Sequence, residues 1–147
     1  MAELRITFEG KPRTKKNSTQ IVQAGGRPRV MPSAAWKEWC AATSPRITLA
    51  MRRIYAGDIG ALVAGVDVKC NTRLRGFIDY PVNCAELFYR DANRGDAVGY
   101  YQGLADLLEA AGVVKNDKWI VSWDGSRLFK DAARPRVELM LSWQVKG

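Results

Sequence analysis

Strict alternation opens the chain. Leu4, Ile6 and Phe8 alternate with Arg5, Thr7 and Glu9 as far as Gly10, the period of a half-buried strand. The pattern returns at Leu62, Ala64, Val66, Val68 and Cys70, read as one strand, then in "NCAELFYR", and finally at Val137, Leu139, Leu141, Trp143 and Val145. Helical spacing replaces it in two places. Trp36, Trp39, Cys40 and Thr43 follow the capping residue Ser33, and Pro45 should end or break that helix, with "ITLAMRRIYAG" as a second helical piece. In "AVGYYQGLADLLEAAG" the stripe Tyr100, Leu104, Leu107, Leu108 and Ala111 faces a core, Gln102, Asp106 and Glu109 face away, Asp96 stands at the N-cap and Gly112 is the stop. Between the first strand and Ser33 runs a Gly-, Pro- and Lys/Arg-rich loop with a short hairpin turning at Gly25-Gly26. Strands separated by two helical regions predict an α+β fold: one domain over 1–147, a mixed, mostly antiparallel sheet packed with two main helical regions.

Composition narrows the chemistry. At 147 residues, 47% apolar, the chain suits one core. No apolar run nears the roughly 20 residues of a membrane span, and the N-terminus lacks a signal-peptide layout, so a soluble, cytoplasmic protein with no membrane partner is expected. Cys40, Cys70 and Cys84 are odd in number and widely spaced, which argues for buried thiols over disulfides or a zinc knuckle. With no histidine, the commonest general base is absent, and hydrolysis would fall to carboxylates, lysines or a bound metal. The +8 net charge favours a polyanion, nucleic acid first, with a merely solubilising charge excess as the plain alternative.

Against that basic background, the stretch from Tyr89 to Arg127 holds Asp91, Asp96, Asp106, Asp117 and Asp124. Each has an ordinary explanation: Asp96 as a helix cap, Asp106 on a solvated face, Asp117 in a turn. Together, strand, acidic loop, helix and acidic turn are expected to return Asp96 and Asp117 toward one end of the helix. Two carboxylates there could hold Mg²⁺, or Mn²⁺, leaving positions for water and substrate phosphate, the chemistry of a nuclease.

"ITFEGKPRTKKNS", "RPRVMPSAAWKEW", "GDAVGYYQGLADLLEAAGVVKNDKWI", "WDGSR" and "PRVEL" resemble, in that order, the RusA-like Holliday junction resolvases, especially those of phages and prophages. The resemblance spans about Ile6 to Leu139. It implies a Mg²⁺-dependent, homodimeric crossover junction endodeoxyribonuclease of recombination and repair that nicks four-way DNA junctions in pairs. Carried over by position, Asp96, Asp106 and Asp117 are the catalytic acids, and Asp96, Asp117 and, as a substitute, Asp91 the metal ligands. The chain departs from the pattern at Val98, where a second Asp is expected, at Gly99 for Asn, at Gln102 for Lys and at Asn116 for Asp.

Lys11, Arg13, Lys15, Lys16 and Asn17 match the family's N-terminal motif and, with Arg94, Arg127 and Lys130, are the candidate DNA contacts; solvated loops and surface ion pairs are the alternatives. Phe88 and Tyr89 either probe an unstacked base or belong to the core. Two other functions stay open: a degenerate member that binds branched DNA without cutting, and a single-strand module using the tryptophans and tyrosines as stacking platforms.

Overall fold

The computed structural model describes residues 1–14, 20–24, 27–31, 34–92 and 97–145. Its elements in order are β1 (Ala2–Glu9), β2 (Gln20–Ala24), β3 (Arg27–Met31), α1 (Ala34–Tyr55), β4 (Gly60–Val63), β5 (Val66–Cys70), β6 (Val82–Arg90), α2 (Ala97–Ala110), a 3₁₀ turn (Asp117–Trp119), β7 (Ile120–Ser122), β8 (Arg127–Lys130) and β9 (Arg136–Trp143). Seven strands form one sheet in the order β4-β5-β1-β9-β6-β7, with β8 also on β6; β2 and β3 make a separate hairpin. Only β7 and β8 run parallel to their partner, at the start and end of β6 respectively. The expected α+β architecture, a mostly antiparallel sheet with two helices, is the one observed.

The alternating residues line up across the sheet as rungs. Val66, Phe8, Val137 and Phe88 make one, and Cys70, Leu4, Leu141 and Cys84 another. All are buried under the two helices, while the intervening residues face the other side of the sheet. Helix α2 ends as its sequence suggests. Gly112 takes φ +75°, its N–H donates to the Glu109 carbonyl and that of Val113 to the Leu108 carbonyl, closing the last turn with a left-handed residue. From α1, Thr48 and Tyr55 donate to the Ala111 and Gly112 carbonyls, at 3.0 and 2.6 Å.

Two expectations are corrected. Pro45 lies inside α1, which runs unbroken from Ala34 to Tyr55. A proline inside a helix costs about 3 kcal/mol, but the buried stripe Trp39, Thr43, Ile47, Ala50, Met51 and Ile54 crosses it. Burying a large aliphatic side chain contributes about 1.5–3 kcal/mol, so three such residues beyond the proline outweigh it. The single strand expected over Leu62–Cys70 is instead the hairpin β4–β5, turning at Ala64-Gly65 with φ of 52° and 79°. Positive φ at both central residues is the tight turn whose twist matches the strands. Leu62 is consequently 75% exposed on the outer strand.

One rung is anomalous. Glu86 shares a level with Val68, Ile6 and Leu139 and is fully buried. The Cys84 thiol donates to its Oε1 at 3.2 Å, while Oε2 has no hydrogen-bond partner. Burial pushes its carboxyl well above the ordinary carboxylate range, with the Cys84 contact acting weakly the other way. The folded protein therefore keeps a proton that the unfolded chain releases. The associated stability is complete below the unfolded pKa, about 4.3, and drains away as pH rises toward the folded value. Urea melts of the wild type should show lower stability at pH 8 than at pH 5. Glu86→Gln, which cannot ionise, should flatten that difference; an equally steep fall in the variant would place its origin elsewhere.

Candidate nucleic-acid interface and acidic site

β6 carries Asp91 to the sheet's edge. Phe88, on its buried face, packs on Tyr100 and Tyr101 at ring distances of 5.1 and 6.3 Å and seats the first turns of α2. Two residues further on, Arg90 is largely buried, its guanidinium 5.6 Å from the Tyr100 ring centroid and its Nε donating to the Phe129 carbonyl at 3.3 Å. Burial pushes the Tyr100 phenol up, opposed by the nearby Arg90 and Arg13 cations and aided by Asp91.

The loop after β1 crosses this same region. Lys11 Nζ and Arg13 Nη1 each lie 3.7 Å from an Asp91 carboxylate oxygen. That separation exceeds a tight hydrogen bond, so the cations are held close without being locked. The loop's path is fixed by a close approach at Gly103. Trp36 Nε1 of α1 donates to the Gly103 carbonyl at 3.2 Å. A Cβ on Gly103 would come within 3.0 Å of that nitrogen and 3.2 Å of the Arg13 carbonyl oxygen. Helix α1, helix α2 and the basic loop thus meet at one glycine. From Lys11 to Lys37 the chain carries Lys11, Arg13, Lys15, Lys16, Arg27, Arg29 and Lys37 and no acid, and the first two of these cations are the ones that lie against Asp91.

The other described acids lie apart from this junction. Asp117 opens the 3₁₀ turn, is exposed, and donates its backbone N–H to Glu109 Oε1 at 3.1 Å, beside the last turn of α2. Ahead of it, Val113 and Lys115 exchange backbone hydrogen bonds with Ile78, and behind it Ile120 pairs with Val82. Asp117 therefore lies where β6 begins and Asp91 where it ends. At about 3.3 Å per residue, the nine-residue strand separates them by roughly 25 Å. Asp91 and Asp117 do not converge on one ion within a protomer. Asp106 is half-buried on α2, and among the described residues no three acid, cysteine or histidine side chains gather in metal-binding fashion. Asp96, Arg94, Lys15, Lys16 and Asn17 lie outside the described residues, as does the expected approach of Asp96 to Asp117.

Other assignments resolve simply. Phe88 is core, Tyr89 half-exposed, and Arg127 and Lys130 are exposed on β8. Val98 (57% exposed) and Gln102 face solvent one turn apart on α2. Of the five tryptophans, Trp39 and Trp143 are buried, Trp36 and Trp123 pack against the core and Trp119 is half-buried. Cys70 and Cys84 are buried thiols and Cys40 is partly buried. No described helix is long and apolar enough to cross a membrane. The Trp36–Gly103 contact had no signal in the sequence, since a glycine within a helix does not reveal what approaches it.

In comparisons with known proteins, no family model matches the chain and no curated protein is significantly similar to it.

Gly103→Ala should destabilise the fold by about 1–3 kcal/mol through overpacking, although alanine is the better helix former by about 1 kcal/mol. Urea denaturation decides the sign. A net gain in stability would mean that Trp36 and the basic loop yield easily and do not fix the site.

Proposed function

We propose that the chain is an endodeoxyribonuclease of branched DNA, acting as a homodimer on four-way junctions in recombination and repair, in keeping with its resemblance to the RusA-like resolvases. The observation that carries this reading is the meeting of Lys11 and Arg13 with Asp91 at the end of β6, where α2 begins. A nuclease must hold a phosphodiester backbone and bring carboxylates to it. Here Lys11 and Arg13, the first cations of an acid-free basic segment, lie against the acid that follows β6.

In this reading Lys11 and Arg13 exchange their loose contacts with Asp91 for DNA phosphates, with Lys15, Lys16, Asn17 and Arg94 as further candidate contacts. Trp36 and Gly103 hold the loop against α2, so that the cations and Asp91 keep a fixed relation. Asp91 and Asp96 are the acids that would face the scissile phosphate. Asp117, at the far end of β6, is not assigned a part in the same centre. Mg²⁺, replaceable by Mn²⁺, is the cofactor the resemblance implies, and the spread of the acids leaves no step assigned to it here.

A second reading, a DNA-binding protein that does not cut, is favoured by Val98 and Gln102. Both side chains face solvent at positions where the resemblance implies an acid and a lysine, so packing does not demand the present residues. A fluorescent four-way junction incubated with Mg²⁺ or Mn²⁺ separates the two. The nuclease reading expects symmetric nicks, at least tenfold reduced in Asp91→Asn and in Asp96→Asn. Tight binding without nicks, with cutting gained in Val98→Asp/Gln102→Lys, would establish the second reading instead.

Binding itself gives a further check. Lys11→Ala/Arg13→Ala should weaken affinity for all DNA sequences alike and lower the slope of log affinity against log salt by about 2, as expected for two lost phosphate contacts. An unchanged slope would return the loop to a solvated role.

A further inference from the structure

Tyr89, Phe129 and Arg136 occupy one level of three neighbouring strands, with Tyr89 paired to Phe129 of β8 on one side and to Arg136 of β9 on the other. The two rings stack at 5.0 Å and 19°, and the Arg136 guanidinium carbon lies 3.7 Å from the Tyr89 ring centroid. Cation, ring and ring thus form a row across the sheet face away from the helices. Its inner end is fixed, because Arg136 is clamped by Glu138 at 2.8 Å and Asp131 at 3.0 Å. Its outer end is open. No strand lies beyond β8 among the described residues, and Phe129 is 41% exposed. Strands recur about every 4.8 Å, so the next place in the series could be taken by a planar group stacked on Phe129.

The surroundings indicate which planar group. Arg127 shares Phe129's face by strand alternation, Lys130 follows it, and both are exposed with no acidic partner among the described residues. Next along, the Asp131 N–H donates to the Arg90 carbonyl at 2.8 Å, joining the end of β8 to the strand that delivers Asp91. We propose that the outer face of Phe129 is a stacking site for an unpaired nucleobase of bound DNA, with Arg127 on an adjoining phosphate. The proposal rests on the DNA-directed reading above and adds a residue set on the opposite sheet face to it. Stacking suits any base, since each has a π face, and exposed cations beside the ring favour a polyanion over a second +8 copy of the chain.

The test uses a four-way junction carrying 2-aminopurine at the branch, without divalent metal so that nothing is cut. Wild-type protein should quench the probe on binding. Phe129→Ala, with an unchanged thermal melt, should lose the quench and bind about tenfold more weakly at an unaltered salt slope, and Phe129→Trp should restore both. Arg127→Ala should keep the quench and lower the slope by about 1. Binding and quenching by Phe129→Ala equal to wild type would overturn the stacking site while leaving DNA binding intact. Failure of the wild type to bind any DNA would overturn both. Loss of a dimer in sedimentation of Phe129→Ala, with the quench preserved, would assign the ring to a second copy and overturn the proposal.

Discussion

The packing of Phe88 against Tyr100 and Tyr101 is the contact on which the site depends. It lies at the end of β6, the strand with the most partners: β9 along one side, β7 and β8 in succession along the other. By pinning the start of α2 to that strand, the contact places Gly103 where Trp36 and the Arg13 carbonyl can reach it. Asp91 then has little freedom relative to the basic loop. Electrostatic attraction between the loop and Asp91 is weak at 3.7 Å and partial exposure; hydrophobic packing sets the arrangement, and the charges occupy it.

The sheet separates two kinds of surface. Among the described strand residues its helix-covered face is apolar except for Arg90 at the end of β6 and Glu86 within it, whose burial without a partner for Oε2 is a cost carried inside the sheet. The other face bears ion pairs and the Arg136–Tyr89–Phe129 row. At the end of β6 the two surfaces meet, which brings a carboxylate, a basic loop and an exposed ring to one edge through strand geometry alone.

Much of this was legible in the pattern of residues. β1, β6, β9 and α2 carry unbroken periods, and the Gly112 stop is local, so each could be read from a short window. Pro45 misled because its cost is local while the stripe that overrides it extends from Trp39 to Ile54. Ala64-Gly65 misled because the turn lacks the usual Asn or Asp, and the alternation carries on through it. The acids were found as a group but not placed. Asp91's neighbours Lys11 and Arg13 lie in a remote part of the chain, and the position of Asp117 depends on the pairing of Val113 and Lys115 with Ile78. Neither relation leaves a periodic trace.

If the chain is the nuclease proposed, its reactive acids belong to the β6–α2 junction, where Lys11 and Arg13 approach Asp91, and not to the 3₁₀ turn. A crystal structure with Mn²⁺, read from its anomalous scattering, tests this most directly. The account predicts a peak within coordination distance of Asp91 or Asp96. A peak instead at Asp117 and Glu109, or none at a Mn²⁺ concentration that supports nicking, would contradict it.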